Sequence, residues 1–395
     1  MMFQAVLSNR DHPEYGVATI PFPIPHDQYA HCMELLEALE IGDAVKADCK
    51  VEKIDSFYTV LKRTEMLTVN VEELNYLAKR LDSFDTGEAA QFQAMAHKLE
   101  LFELKDLINL TFCCQQATVI TDFSDLAAIG RDHYMNLHGG SAKTEELDAL
   151  DGEETARRLI ESGGGTITPY GVVYDNGMKL EQVYDGRFFP CYYHEPNAIT
   201  VAATSKSEPE DTEHITWLFL PMEREEIDRA LLRGGITDPA DVRLRLEDSQ
   251  LPNEVDVLLD MERENLSDLN ALAQAADSLS DSDMNKLGAV VMLAKPKSAA
   301  QIKNLAESLD LFDLAPGAHT PQEYGKYMIQ QSGHFDYDEN LDAFYDYEKY
   351  GMERMNEEDG MFTDRGYIAY KGYISMEEVM NGSQSSHMEM GGLSR

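Results

Sequence analysis

Apolar residues recur three and four positions apart in the stretch Leu74–Ser83, and the same stretch returns 195 positions later at Leu269–Ser278. The two copies share Leu, Asn, Leu, Ala, Asp and Ser at equivalent positions. This spacing predicts an amphipathic helix with one buried face. Acidic residues precede or open each helix, where the helix dipole favours negative charge. The repetition indicates a tandem duplication.

The hydrophobic pattern predicts extended segments at the start of each copy. Phe3–Leu7 and Thr19–Ile24 flank a turn and are matched by Ile199–Ala203 and Ile215–Leu220, with a second turn at Pro209–Glu210. Prolines in the second segment favour an edge strand, because proline cannot donate to a neighbouring strand. At the offset of 196 that fits this region, Pro25 corresponds to Pro221. A helix is predicted next in each copy, from Asp27 to about Leu39 and from Glu223 to about Leu232.

Three further helices are predicted in each copy. Asn70 with Glu73 forms a plausible N-cap pair for the first helix, and Ser267 is the predicted cap in the second copy. The next helix starts at Thr86-Gly87-Glu88 and at Ser280–Asp283, and the third carries Asn109-Leu110 and Asn304-Leu305. Three helices per copy form a small bundle.

After the bundle the register continues through two glycine-rich stretches. Gly130 is answered by Gly325, and Gly165–Val172 by Gly360–Tyr367, a pattern that predicts strand, turn and strand. A last segment, Glu181–Gly186, corresponds to Glu377–Gly382 at an offset of 196.

These patterns predict the α+β class, with two tandem elongated units that each carry small mixed α/β ends around a central helical bundle. The predicted parts are a first unit at 1–190 (α/β 3–65, helical 66–120, α+β 121–186), a linker at 191–198, a second unit at 199–382 (α/β 199–260, helical 261–314, α+β 315–382) and a flexible tail at 383–395.

Composition adds an unusual charge. The chain has 72 acidic and 33 basic residues, a formal net charge of −39. Residues 1–200 carry 33 acidic and 16 basic residues and residues 201–395 carry 39 and 17, so the excess does not come from an acidic tail. Phosphates would be repelled by this charge, and direct nucleic-acid binding is therefore disfavoured.

Cysteine usage and hydropathy bear on the compartment. The five cysteines are an odd count without CxxC spacing, and no signal peptide opens the sequence, so we expect packed thiols in a reducing cytoplasm. No apolar run approaches the ~20 residues that cross a bilayer, so no membrane contact is expected.

Two short motifs fail as ligand sites. Gly163-Gly164-Gly165 lacks the Gly-Lys-Ser/Thr of a phosphate loop and is interpreted as a helix stop. Asp336-x-Asp338-x-Asn340 begins like a calcium loop, but Leu341 and Tyr347 stand where that loop has glycine and glutamate.

Nucleophile and metal motifs are also missing. His133 and His138 are five positions apart without an HExxH, and the default interpretation is locally bonded or solvent-facing histidines. No GxSxG surrounds a serine, and the Cys113-Cys114 pair is expected in an apolar helix with a structural role. A paired-carboxylate acid/base site stays open, because 72 carboxylates place some pairs close in space. The sequence gives no cofactor, no metal site and no residue on which to base an enzyme.

The charge itself suggests a function. B-DNA carries one phosphate per ~1.7 Å, so a charge of −39 matches the phosphates of roughly 66 Å of duplex. Carboxylates spread along an elongated protein could fill the cationic groove of a DNA-binding protein. The other interpretation is a solvated acidic surface, including one of the halophilic kind. The candidate carboxylates are Glu72, Glu73, Asp82, Asp85 and Glu88 in the first copy, and Asp268, Asp277, Asp281 and Asp283 in the second.

Several of these features resemble a known family, the ArdA antirestriction proteins of conjugative plasmids and transposons. The resemblance rests on the unit length, the Leu-Asn-x-Leu-Ala helix, and the run Asp346–Gly351 followed by Gly360-Met361-Phe362. It is strongest in the second unit. It extends to the first through the repeat, where Phe3–Leu7, Gly16 and Pro21-Phe22-Pro23 are also similar to the family's opening.

The resemblance implies an acidic, elongated, three-part unit that mimics bent B-DNA and blocks type I restriction-modification enzymes, with their specificity and methyltransferase core as partner. Family members are usually one unit long and pair into dimers. This chain has two units, and its first has Gly152 and Thr155 where the second has Tyr347 and Tyr350. We therefore expect an intramolecular pseudo-dimer, with further association of two chains open. The alternative function is an acidic module that binds another basic nucleic-acid-binding protein of a mobile element; an enzyme of unknown type ranks third.

Overall fold

A computed structural model describes residues 2–207, 214–334 and 336–382. Helices and small sheets make up the fold, which confirms the α+β class. The turn expected at Pro209–Glu210 and the tail expected at 383–395 lie outside the described residues.

The first copy contains the predicted strands and helices, together with three further strands and three further helices that the sequence analysis did not predict. They are β1 (Phe3–Asn9), β2 (Val17–Phe22), α1 (Tyr29–Glu37), β3 (Cys49–Ser56), β4 (Thr68–Val69), α2 (Val71–Asp82), α3 (Thr86–Lys98), α4 (Leu104–Leu110), β5 (Thr118–Ile120), α5 (Leu126–Leu137), α6 (Thr144–Ala149), α7 (Gly152–Glu161), β6 (Thr166–Thr168) and β7 (Gly171–Tyr174).

The second copy repeats most of this order. Its elements are β8 (Ile199–Ser205), β9 (Thr216–Leu220), α8 (Arg224–Arg233), β10 (Val242–Ser249), α9 (Asn253–Asp256), α10 (Leu266–Asp277), α11 (Asp281–Ala294), α12 (Ala299–Ala306), β11 (Phe312–Pro316), α13 (Pro321–Gln330), α14 (Tyr347–Glu357), β12 (Asp359–Thr363), β13 (Gly366–Tyr370) and α15 (Met376–Met380).

The sheets are small, and equivalent sheets have equivalent strand orders. The opening sheets run β2-β1-β3-β4 and β10-β8-β9, and the late sheets run β5-β7-β6 and β11-β13-β12. Strand β2 carries Pro21 and lies at the edge of its sheet, which confirms the edge position predicted from the prolines. The strand, turn and strand predicted from the glycine-rich stretches are confirmed as β6–β7 and β12–β13.

The three-helix middle of each copy is confirmed, with one correction to its caps. The Asn70 side chain accepts hydrogen bonds from the N–H groups of Glu72 and Glu73, as predicted. In the second copy the cap is Asn265, whose side chain accepts from the Asp268 N–H at 2.9 Å. The predicted cap, Ser267, is wrong because the helix has already begun at Leu266. Asn265 lies 195 positions after Asn70, so the offset between the copies would have predicted the correct cap.

The asparagine of the opening repeat links its helix to the neighbouring strand. Asn75 Oδ1 accepts the Ile24 N–H at 2.8 Å, and Asn270 Oδ1 accepts the Met222 N–H at 2.8 Å. Ile24 follows Pro23, and Met222 follows Pro221. The structural counterpart of Pro221 is therefore Pro23, and the predicted match with Pro25 is wrong by two positions.

A second asparagine anchors the last segment of each copy. Asn109 Nδ2 donates to the Tyr184 carbonyl at 3.0 Å, and the Tyr184 N–H donates to Asn109 Oδ1 at 2.8 Å. In the second copy Asn304 Nδ2 donates to the Met380 carbonyl at 2.8 Å. Both contacts join residues that the sequence register pairs.

The cysteine pair after α4 differs from its predicted setting. Helix α4 ends at Leu110, and Cys113 and Cys114 lie in the turn and short 3-10 segment that follow. The Thr111 hydroxyl donates to the Ile108 carbonyl at 2.7 Å, and the Phe112 and Cys113 N–H groups donate to carbonyls three residues back. Bonds of this spacing tighten the backbone out of the α-helix.

Glycine allows two helices to cross closely in the late part of each copy. A Cβ at Gly130 would lie 1.9 Å from the Gly152 carbonyl oxygen, where α5 meets α7. A Cβ at Gly325 would lie 2.0 Å from the Tyr347 carbonyl oxygen, where α13 meets α14. The repeated glycine therefore serves the same packing in both copies.

The chain forms two compact units whose limits differ from the predicted 1–190 and 199–382. The first contains the described residues up to Glu195, those within Thr204–Trp217, and Glu223–Asp241, which includes α8. The second contains Pro196–Ala203, Leu218–Met222 and the described residues from Val242 onward. Helix α8 therefore belongs to the second copy by sequence and to the first unit by packing.

Two equivalent pairs of positions, one pair in each copy, make chemically different contacts. In the first unit the Tyr170 and Thr59 hydroxyls are 2.9 Å apart. At the same register positions in the second unit, Arg365 donates to both carboxylate oxygens of Glu254, at 2.8 and 2.7 Å. Its third nitrogen donates to Asn285 at 2.8 Å. A neutral contact and a bidentate ion pair thus fill equivalent places.

These equivalent contacts predict strong coupling between Arg365 and Glu254. Each single substitution, Arg365→Tyr or Glu254→Thr, leaves a half-buried charged group without its partner and should cost about 1–3 kcal/mol of unfolding free energy. The double variant restores the residue pair of the first unit, so its loss should be smaller than the sum by about 1 kcal/mol or more. Urea denaturation followed by circular dichroism gives the unfolding free energy of the unaltered protein, the two single variants and the double variant. Additive losses would contradict the coupling.

Candidate functional site

Six of the nine predicted carboxylates lie at the corner between two successive helices, three in each unit. We call these the first acidic corner (Asp82, Asp85, Glu88, between α2 and α3) and the second acidic corner (Asp277, Asp281, Asp283, between α10 and α11). The sequence register pairs Asp82 with Asp277 and Glu88 with Asp283. The same part of each unit therefore presents a group of carboxylates.

Helix capping holds the first acidic corner in place. The Asp85 side chain accepts the Glu88 N–H at 2.8 Å, and the Glu88 side chain accepts the Asp85 N–H at 3.0 Å, a reciprocal capping box. Asp82 and Asp85 are exposed and Glu88 is half-buried. The capping box orients Asp85 and Glu88, whereas Asp82 is the last residue of α2 and lies 3.7 Å from His194 Nε2.

The carboxylates of this corner act together on neighbouring groups. Burial, followed by negative charges that include Glu88, Asp82 and Asp85, raises the pKa of Tyr58 to about 12. On helix α5, burial raises the pKa of Asp132, and the charges of Asp125 and Asp85 raise it further. The acidic field of the corner therefore extends to α5, a feature that the sequence pattern did not indicate.

The second acidic corner has a similar construction. Ser280 caps α11, and its hydroxyl donates to the Asp283 carboxylate at 2.7 Å. Asp277 and Asp281 are exposed, and Asp283 is half-buried. At the other end of α10, Asp268 accepts a hydrogen bond from the side chain of its cap, Asn265, at 2.6 Å.

Glu72 and Glu73 have a different environment, because both face cations of α8. Glu72 Oε1 accepts from Arg229 Nε at 2.7 Å and from the Tyr29 hydroxyl at 2.9 Å. The side chains of Glu72 and Arg229 are only 14% and 17% exposed. The negative charge of Glu72 is therefore largely matched inside the first unit.

Glu73 is connected to Arg233 through a tyrosine. The Tyr184 hydroxyl donates to Glu73 Oε1 at 2.7 Å and accepts from Arg233 Nη2, whose own distance to Glu73 Oε1 is 3.8 Å. Burial raises the pKa of Glu73, while the Tyr184 hydrogen bond and the Arg233 charge lower it in part. Glu73 is therefore held in a buried network and is poorly placed to meet a partner.

Arg233 has unusually complete contacts for a buried cation. Its side chain is 5% exposed, and it donates to the Ala44 carbonyl (2.9 Å), to Asn70 Oδ1 (3.0 Å) and to the Arg187 carbonyl (2.9 Å). Its guanidinium also lies 4.3 Å from the centre of the Phe189 ring, a cation–π distance. The sequence analysis missed this network, although Arg229 and Arg233 are four apart and so share one helix face.

The described part of the chain gives little support for a metal site, a reactive histidine or thiol, or a membrane-spanning helix. No group of three or more His, Cys, Asp or Glu residues there could hold a metal ion. His133 bonds the Thr118 hydroxyl at 2.9 Å and His138 bonds the Tyr134 carbonyl at 2.7 Å, as the default interpretation predicted. Cys32, Cys49, Cys113 and Cys114 are buried free thiols. Among the described helices, none has the length and apolarity needed to cross a bilayer.

Fold and site together define an acidic α+β protein that presents carboxylates at equivalent helix corners. Residues 212–369 match the family model described as antirestriction protein (ArdA). The match lies in the second copy, where the sequence resemblance is strongest, and it confirms the family predicted from the sequence. No curated protein matches the chain.

The buried network around Arg233 predicts a large stability effect from one residue. Arg233→Ala leaves Glu73 buried without its cation and should lower the unfolding free energy by about 3–5 kcal/mol. Arg224→Ala on the same helix is the matched control, because that side chain is 95% exposed and its loss should change stability by about 0.5 kcal/mol or less. Thermal and urea unfolding measure the loss of stability in both variants. Equal, small losses would show that the network contributes little.

Proposed function

We propose that this chain is a DNA-mimic antirestriction protein, without catalytic activity, that competes with DNA for type I restriction-modification enzymes in the cytoplasm. The family match supports an antirestriction role. The observation that carries the mimicry is the pair of acidic corners, where capped carboxylates face solvent at equivalent positions of two units. The partner is the cationic DNA-binding surface of the enzyme's specificity and methyltransferase core.

The arrangement of charge favours a field over a single binding residue. Many carboxylates at a surface raise the local potential and steer a cationic partner, whereas each one alone contributes little. Two of the predicted carboxylates are weaker candidates for contacting the partner. Glu72 and Glu73 face Arg229 and Arg233, so we assign the interaction to the two corners and to the neighbouring Asp125 and Asp132 instead.

We further propose that the two copies act as a covalent pair in place of two single-unit chains. The equivalent asparagine contacts and the close crossings at Gly130 and Gly325 support a common origin of the copies. Under this proposal one chain saturates one enzyme core. A stoichiometry of two chains per core, measured by native mass spectrometry, would contradict it.

Competition with DNA gives the first test. Purified protein should displace a DNA duplex from a type I enzyme and inhibit its ATP-dependent cleavage at about 50 mM salt, and less so at about 200 mM, because screening weakens charge pairing. Polyglutamate of the same total charge is the control for a non-specific polyanion. If the protein displaces no more DNA than polyglutamate does, the mimic proposal fails, and the acidic module for another basic protein becomes the better explanation.

Removal of one corner's charge gives the second test. The variant Asp82→Asn/Asp85→Asn/Glu88→Gln keeps side chains that can cap α3 while removing three charges. We expect about a tenfold or greater loss of inhibition from this variant, and at most about threefold from any one of its substitutions.

A control variant removes the same charge from elsewhere on the surface. Glu153, Glu154 and Glu307 each pair with a cation four positions away in the sequence, at 3.3, 2.9 and 2.6 Å. Their three Gln substitutions should therefore leave inhibition close to that of the unaltered protein. If both triple variants lose inhibition equally, only net charge matters and the corners have no special role.

A further inference from the structure

An exposed aromatic group is set in the most acidic loop of the second unit. The segment 336–348, which follows α13 and includes the first two residues of α14, contains six acidic residues and neither lysine nor arginine. We call it the aromatic-acidic loop. Phe344 is 83% exposed and Leu341 is 47% exposed, so both present apolar surface to water. Large exposed apolar groups with polar surroundings are typical of interaction sites.

A network of tyrosines fixes the shape of this loop. Asp342 Oδ1 accepts hydrogen bonds from the Tyr337 hydroxyl at 2.8 Å, from Gln330 Nε2 at 2.8 Å and from the Tyr347 hydroxyl. The Tyr345 ring lies between the rings of Tyr337 and Tyr347, with centroid distances of 6.0 and 5.8 Å. The loop is therefore preorganised, which reduces the entropy lost when it binds a partner.

The hydrogen bonds also keep the loop charged. The hydroxyl groups of Tyr347 and Tyr337 lower the pKa of Asp342, so this carboxylate stays ionised at neutral pH although it lies at the centre of the network. The apolar surface of Phe344 is thus presented within a stable negative field.

The first copy provides an internal comparison. Its corresponding segment, 141–153, contains five acidic residues and no aromatic residue, and Ala149 occupies the position of Phe344. Acidity is present in both copies, whereas the exposed ring and the tyrosine network occur only in the second. The aromatic part of the loop therefore has a role that charge alone does not explain.

We propose that the aromatic-acidic loop is an anchor that inserts Phe344 into an apolar recess of the partner's cationic DNA-binding groove, while the surrounding carboxylates pair with the basic residues at its rim. Charge complementarity selects this partner surface, because the six carboxylates of the loop would repel an acidic one. Buried aromatic residues surrounded by polar contacts are the usual centres of binding energy in interfaces. This inference rests on the proposed antirestriction function.

Binding kinetics with the intact methyltransferase core test the anchor. Phe344→Ala should weaken binding about 10- to 30-fold, mainly through faster dissociation, and should leave the salt dependence of Kd unchanged because no charge is lost. Phe344→Leu should keep most of the affinity. Asp338→Asn/Glu339→Gln should instead reduce the slope of log Kd against log salt concentration. Circular dichroism checks that each variant folds.

A matched control separates this anchor from a general effect of exposed rings. Phe57 in the first unit is 72% exposed, and Phe57→Ala should bind like the unaltered protein. If Phe344→Ala also binds like the unaltered protein, the anchor is overturned while the proposed function stands. If the unaltered protein itself does not bind the core, the proposed function fails.

Discussion

This chain must fold against its own charge, because 72 acidic side chains face only 33 basic ones. Like charges repel in the folded state, and burial of any of them adds a desolvation cost. The fold places several cations where this cost is greatest. Arg229 and Arg233 meet the two half-buried glutamates of α2, and Arg365 meets Glu254. At the helix corners, Asp85, Glu88 and Asp283 instead take part in the N-terminal caps of α3 and α11.

The two halves of the chain share a sequence pattern but differ in which of their carboxylates are paired with arginine. The first unit takes in α8 from the second copy, and that helix covers the glutamates at the start of α2. The equivalent positions at the start of α10 carry Ser267 and Asp268 in place of the two glutamates. The aromatic-acidic loop adds a second difference. Equivalent positions in the two halves therefore make different side-chain contacts.

The repeated stretch Leu74–Ser83 allowed much of the fold to be predicted. Its periodicity predicts the helix, and the register between copies predicts the other helices of the bundle and the late strands. The asparagine in this stretch proved to have its own role, because Asn75 and Asn270 each accept a hydrogen bond from the chain just after a strand. That tertiary contact, and not local sequence, sets the correct match between Pro23 and Pro221.

The candidate site was harder to predict, for a physical reason. Acidic residues near a helix start are favoured by the dipole whether or not they face a partner, so Glu72 and Asp82 give the same local signal. Their different roles depend on α8, which lies about 150 residues away in the sequence and contributes the arginine that pairs with Glu72. Phe344 gave no signal either, because sequence alone does not show whether a phenylalanine is buried.

Carboxyl footprinting with a carbodiimide reports which carboxylates a bound partner covers. In the complex with the methyltransferase core, we expect protection of the two acidic corners, with unchanged labelling of Glu153 and Glu154. Uniform protection of all exposed carboxylates, or protection confined to surfaces away from both corners, would contradict this expectation.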